Sequence, residues 1–172
     1  MNLLLVGQQT ERLRFRKLQV SDFETWLPFH QDKRTSVHWK GLPEEPVTAC
    51  QQQFESTFRR YKEGRGGMNA LILKSTDKLI GLCGLLPQTV DTIQELEMGY
   101  SILPLYWGRG FATEAAKKCR IFAGKNQLAN SLISIIQVDN IASQSVALKT
   151  GMELDKTTMY HDNIVHIYRV NI

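Results

Sequence analysis

Cysteine is scarce in this 172-residue chain: Cys50, Cys83 and Cys119 are widely spaced and odd in number. That excludes a disulfide framework, and neither these residues nor His30, His38, His161 and His166 show metal-ligand spacing, so no metal is expected. Long apolar runs are also missing. None approaches the ~20 residues that cross a bilayer. The opening Met1-Asn2-Leu3-Leu4-Leu5-Val6 is too short for the apolar core of a signal peptide. The expectation is a soluble, cytoplasmic protein with no membrane partner. The chain carries 21 Lys and Arg against 17 Asp and Glu, a formal charge of +4, but no block of like charge. Scattered cations exclude a nucleic-acid stripe and point to a small anionic ligand. Only five prolines occur, with no repeat, linker or low-complexity stretch, so residues 1–172 read as one domain.

What is present reads as alternating strands and helices. Leu13 and Phe15 alternate with Arg12, Arg14 and Arg16 as in a half-buried strand. Ser21 and Glu24 suggest a capping box that opens a short helix perturbed by Pro28. A second helix should start near Pro46 and bury Cys50, Phe54, Phe58 and Tyr61. Residues 68–74, 78–86 and 95–103 form three strands of an antiparallel meander. Residues 113–125 then place Ala115, Ala116, Cys119 and Ala123 on the face of a helix that can lie close on a sheet. The apolar run 132–138 follows as a strand parallel to the last one before the helix, then a helix over 141–150 and a hairpin turning at His161, Asp162 and Asn163.

Gly108-Arg109-Gly110 falls between a strand and a helix. The first N–H groups of a helix lack intrahelical partners and sit at the positive end of its dipole, so such a turn can bind phosphate. Arg109 can add charge or face solvent. The turn is neither a P-loop, which needs Gly-Lys-Ser/Thr, nor a Rossmann fingerprint, which wants Gly or Ala where Thr113 stands. Taken alone, it could equally be a plain tight turn.

The wider segment Glu97-Met98-Gly99-Tyr100-Ser101-Ile102, followed by Tyr106-Trp107-Gly108-Arg109-Gly110-Phe111-Ala112-Thr113-Glu114-Ala115, resembles the coenzyme-A signature of the GNAT N-acetyltransferases. Trp107 departs from the general pattern, in the manner of the branch of ribosomal-protein acetyltransferases RimJ and RimL. Thr10-Glu11-Arg12-Leu13-Arg14-Phe15-Arg16 and the later Asp139-Asn140, Ser143, Lys149 and Gly151 resemble the same branch in order and spacing.

The resemblance implies an α/β (α+β) fold with a mixed, mostly antiparallel central sheet, splayed at the coenzyme site and flanked by helices. It also implies acetyl-CoA as co-substrate and a primary amine as acceptor, on a small molecule or a protein N-terminus. A homodimer is a further expectation, because dimers are common in that branch. The implied roles are backbone contacts to the pantetheine arm from Tyr100, Ser101 and Ile102, and pyrophosphate contacts from Gly108, Arg109, Gly110, Phe111, Ala112 and Thr113. Asn140 would bond the pantetheine arm, or cap the helix that follows it, or both. Glu97 is the candidate base, with Glu95 on the same strand face; the alternative for both is an ordinary solvated carboxylate. Many relatives use a tyrosine as acid where this chain has Ala147, so Ser143 is the candidate acid, or else a helix-start hydroxyl. That missing tyrosine also motivates a second reading, a coenzyme-A-binding regulatory or structural module impaired in catalysis.

Overall fold

In a computed structural model describing residues 2–172, seven strands form one mixed sheet in the order β1-β2-β3-β4-β5-β7-β6. The strands are β1 (Leu13–Lys17), β2 (Gly67–Leu73), β3 (Lys78–Val90), β4 (Ile93–Ile102), β5 (Ser131–Gln137), β6 (Glu153–Tyr160) and β7 (Asn163–Asn171). The helices are α1 (Phe23–Gln31), α2 (Pro46–Lys62), α3 (Phe111–Lys125) and α4 (Ile141–Lys149). Every strand pairing is antiparallel except β4 with β5, which is parallel as a strand-helix-strand crossover requires.

The sheet has a helical layer on each face, and strand alternation decides which residue goes to which layer. Leu71, Leu73, Cys83 and Leu85 face the side where α3 packs through Ala115, Ala116, Cys119 and Ala123. Those four helical residues are fully buried, and their small side chains let α3 lie close to the strands. Ala70, Ile72 and Leu82 face the other side, against Trp26 of α1 and Cys50 and Phe54 of α2.

The elements match the sequence expectations closely, with three differences. The cap before α1 is not Ser21 with Glu24: a short 3₁₀ turn precedes the helix, and the Gln19 N–H donates to the Asp22 carboxylate at 2.8 Å. Asp22 is itself held by Arg16 through two hydrogen bonds of 2.7 and 2.8 Å, a stronger claim than a serine hydroxyl makes. β3 continues through Pro87 to Val90, and its hairpin to β4 turns on Asp91 and Thr92, both at positive φ as a two-residue turn demands. α3 begins at Phe111, two residues earlier than the apolar pattern alone suggests.

Candidate functional site: a seam in the sheet beside a bare helix start

β4 and β5 share one register pair, Glu97 with Ile133, and beyond it the two strands part. The Ser134 hydroxyl of β5 reaches back to donate to the Met98 carbonyl at 2.8 Å, while the Leu103 N–H donates to Ile80 on β3 at 2.9 Å. Backbone direction alternates along a strand, so Tyr100 and Ile102 turn their amide groups into the gap, and Ser101 turns its own toward β3. The middle of the sheet thus holds a stretch of strand with an unpaired edge.

The short turn Pro104–Tyr106 carries the chain from β4 to α3. Gly108 and Gly110 both take positive φ, +72° and +80°. Gly110 is the N-cap of α3 and contributes no side chain, and the first intrahelical bond runs from Glu114 N–H to Gly110 at 3.0 Å. The N–H groups of Phe111, Ala112 and Thr113 therefore have no partner within the helix. Glycine is needed here for its backbone freedom more than for space: a Cβ on Gly108 would meet nothing, and one on Gly110 only Arg12 at 3.5 Å.

Glu114 fastens the helix start to the segment just ahead of β1. Its carboxylate accepts from the Thr10 hydroxyl at 2.5 Å, the Arg12 N–H at 2.9 Å and Arg12 Nε at 2.6 Å. Burial disfavours the charged carboxylate, but these donors outweigh it and hold its pKa below the ordinary glutamate value. A depressed carboxylate stabilises the fold above its unfolded pKa and loses that stabilisation as pH falls through the folded value. Wild-type Tm should therefore fall on acidification below about pH 4.3. In Glu114→Gln this part of the acid loss should be absent and Tm lower at neutral pH, as scanning calorimetry across pH would show.

The seam and the helix start open on one cavity of about 830 Å³. Of the residues expected to hold a coenzyme, Tyr100, Ser101, Ile102, Gly108, Gly110, Phe111, Ala112, Thr113 and Asn140 all line it. Arg109 does not: its guanidinium lies over the rings of Tyr106 and Phe111 at 5.6 and 5.3 Å. Asn140 is the N-cap of α4, its carbonyl oxygen accepting the Ser143 N–H at 3.1 Å. Capping uses only that oxygen and leaves the amide NH₂ free to donate.

The family model for the GNAT acetyltransferase domain matches residues 12–153. The chain belongs to the GNAT acetyltransferase family. Similar proteins include the N-acetyltransferase p20 of Bacillus licheniformis, 25% identical over 89% of this chain and 84% of p20. A crystal structure of an acetyltransferase from Agrobacterium tumefaciens superposes with a TM-score of 0.80 at 25% identity, covering 96% of this chain and 94% of that one. RimJ of Mycobacterium smegmatis, solved with CoA-disulfide, shares the fold with a TM-score of 0.75 at 13% identity, over 92% of this chain and 81% of RimJ.

Around the seam of this GNAT acetyltransferase stand the groups able to move protons. Ser143, in the first turn of α4, lines the cavity, and its carbonyl accepts the Tyr100 hydroxyl at 2.7 Å. Burial pushes the Tyr100 phenol well above its ordinary pKa, so it remains a donor. Ala147 is buried on α4 with no polar group to offer. Glu97 does not line the cavity: it lies four residues up β4 from Ser101 on the same face, its carboxylate accepting from Gln88 Nε2 at 2.7 Å. Desolvation raises its pKa, opposed by that bond and by Arg60 nearby. Glu95 is bound by Arg169 at 2.6 Å.

The end of α1 and the segment after it form the wall opposite the seam, where Phe29, Arg34 and His38 line the cavity. By resemblance the sequence places Phe29 and His38 in the region that walls the acceptor pocket of relatives, but it favours core packing for Phe29 and gives His38 no role. Arg34 lies 5.0 Å over the Trp107 ring, whose indole N–H donates to the Ile102 carbonyl at 2.7 Å. The residue that breaks the general family pattern thus ties the glycine turn to the end of β4. The run of Asp, Lys, Arg, Thr and His over residues 32–38 carries no periodicity that would place its side chains.

Proposed function

We propose that this GNAT protein transfers the acetyl group of acetyl-CoA to a primary amine by direct attack within a ternary complex, with both substrates in the 830 Å³ cavity. One observation carries the reading: the unpaired edge of β4 ends beside the partnerless N–H groups of α3. A pantetheine arm is a flat, amide-bearing chain that can pair with the backbone of Tyr100 and Ile102 like an extra strand. The pyrophosphate would then lie at the Gly108-Arg109-Gly110 turn and the free N–H groups of residues 111–113, with charge and dipole in its favour. Arg109 would add long-range attraction. Asn140 would donate its free amide to the pantetheine arm, and the Ser101 side chain would border the thioester end.

Attack of the amine on the thioester develops negative charge on the carbonyl oxygen, which a seam-facing N–H of Tyr100 or Ile102 is oriented to receive. Ser143 would pass a proton to the departing thiolate, and Glu97, outside the cavity, would take up a released proton through water after the transfer and not from the amine itself. Ser143→Ala should lower kcat on the order of a hundredfold. Its acetyl-CoA affinity should stay within about twofold, because the interaction is made only as the thiolate leaves. Stopped-flow turnover beside calorimetric binding checks both.

The acceptor is a protein N-terminus, as the resemblance of the sequence motifs to the ribosomal-protein acetyltransferase branch suggests, or a small amine. A screen of peptides with N-terminal Ser, Ala and Met beside polyamines, amino acids and aminoglycosides, read by thiol release from acetyl-CoA, tests the function. Turnover of one class supports the reading. Tight coenzyme binding with no turnover of any amine would instead favour a binding module without catalysis.

A further inference from the structure

We propose that His38, oriented by Asp139, is the base that takes the proton from the incoming amine; the assignment rests on reading the cavity as the acetyl-transfer site. His38 belongs to the irregular segment between α1 and α2 and lines the cavity across from the seam. Its Nδ1 stands 3.1 Å from the Asp139 carboxylate. Asp139 immediately precedes Asn140, at the end of the seam where Ser143 and Tyr100 meet. Through Asp139 the imidazole is tied to the residue before the α4 cap, and it lines the same cavity as Ser143 and Tyr100.

Two features make this contact a proton-handling pair. The His38 Nδ1 atom is buried with no aligned hydrogen-bond partner, even though a carboxylate lies within reach. A small ring rotation would close the bond, and a proton gained by the ring would turn the contact into an ion pair. The His38 side chain is 31% exposed, so its other edge remains accessible from the cavity. The second feature is the composition of the wall: among the described residues no Asp or Glu lines the cavity, and His38 is its one imidazole. The remaining titratable groups around it are Lys33, Arg34, Tyr100, Tyr106 and Lys149, all proton donors at neutral pH. Lys33, Arg34 and Lys149 also disfavour a second ammonium, which helps an entering amine give up its proton.

The step balances as follows. The acceptor arrives as an ammonium and gives one proton to His38 Nε2, while Nδ1–H turns to Asp139. The freed lone pair forms the C–N bond at the thioester carbon. On collapse the C–S bond breaks with its electron pair on sulfur, the second nitrogen proton passes to the thiolate by way of Ser143, and His38 returns its proton to water. Asp139 touches no substrate in this scheme and is a positioning residue.

Two measurements test the assignment on the full chain. Nitrogen-15 NMR of the acetyl-CoA complex should show the neutral His38 ring carrying its proton on Nδ1, a preference lost in Asp139→Asn. With a peptide bearing N-terminal serine and with spermidine as acceptors, His38→Gln should lower kcat by on the order of a hundredfold or more. The acid limb of its pH profile should vanish while acetyl-CoA affinity is kept. Asp139→Asn should show a smaller loss of kcat with acetyl-CoA affinity kept, and added imidazole should partly restore His38→Ala. The assignment is overturned by a neutral ring protonated on Nε2, by an unchanged acid limb in His38→Gln, or by loss of that limb in Glu97→Gln alone. Failure of the wild-type protein to bind acetyl-CoA would overturn the reading of the cavity itself, which separates the two.

Discussion

Gly110→Asp is expected to abolish acetyl-CoA binding while leaving the protein folded. Gly110 sits at φ +80° as the N-cap of α3, directly before the free N–H groups of residues 111–113. An aspartate there would point its carboxylate at those donors as an N-cap side chain and occupy them, and its charge would repel a pyrophosphate. Affinity should fall at least about a hundredfold, since both attraction and access are lost. The left-handed backbone adds a folding penalty of roughly 1–2 kcal/mol for any non-glycine residue, to which Asp is less sensitive than most. Gly110→Ala separates the effects: it pays the backbone strain, its Cβ meets only Arg12 at 3.5 Å, and it should keep affinity within about tenfold. Calorimetric titration with acetyl-CoA, beside Tm for each variant, reads both. Wild-type affinity in Gly110→Asp would remove the anion site from the helix start.

The second large effect is structural. Trp26→Ala should cost about 3–5 kcal/mol of stability, read as a lower urea midpoint with little change in slope. Trp26 is fully buried between the sheet and the second helical layer, its ring stacked 4.6 Å from Phe29 and its N–H donating to Gln53 at 2.7 Å. The same Gln53 oxygen contacts His30 Nε2 at 2.7 Å, so one amide holds two aromatic side chains of α1 against α2. Truncation leaves a cavity and removes one of the two side chains held on the Gln53 oxygen. Because Phe29 also lines the cavity, the variant should raise KM for the acceptor more than it weakens acetyl-CoA. Equal weakening of both would show that α1 supports the whole cavity and not its acceptor wall.

The parts legible in the sequence were those with a period or a fixed backbone demand. Apolar alternation placed the strands, the small-residue stripe of α3 placed that helix on the sheet, and the two glycines marked a turn whose φ values only glycine takes easily. The residues lining the seam side of the cavity followed from motif resemblance, because that side is built from consecutive backbone groups. The opposite wall was not legible from periodicity or spacing. Phe29, Arg34 and His38 lie on a helix end and an irregular loop, and they come to the seam through packing of Trp26 and a contact to Asp139, about a hundred residues on. Nothing local encodes such a meeting. Arg109 shows the reverse: a cation inside a motif invites a binding role for its side chain, and the structure lays that side chain over the rings of Tyr106 and Phe111 instead of among the groups that line the cavity.

The single register pair between β4 and β5 gives the sheet two inner edges in addition to the outer ones on β1 and β6. An exposed outer edge invites strands from other molecules and, with them, aggregation. The inner edges are screened by their own geometry: they face each other across a gap closed at one end by the Glu97–Ile133 pair and flanked by α3 and α4. A slender extended chain can enter from the open end, whereas another protein would have to bring its strand in past α3 and α4. The fold thereby keeps a length of unsatisfied backbone available for recognition without exposing it to self-association.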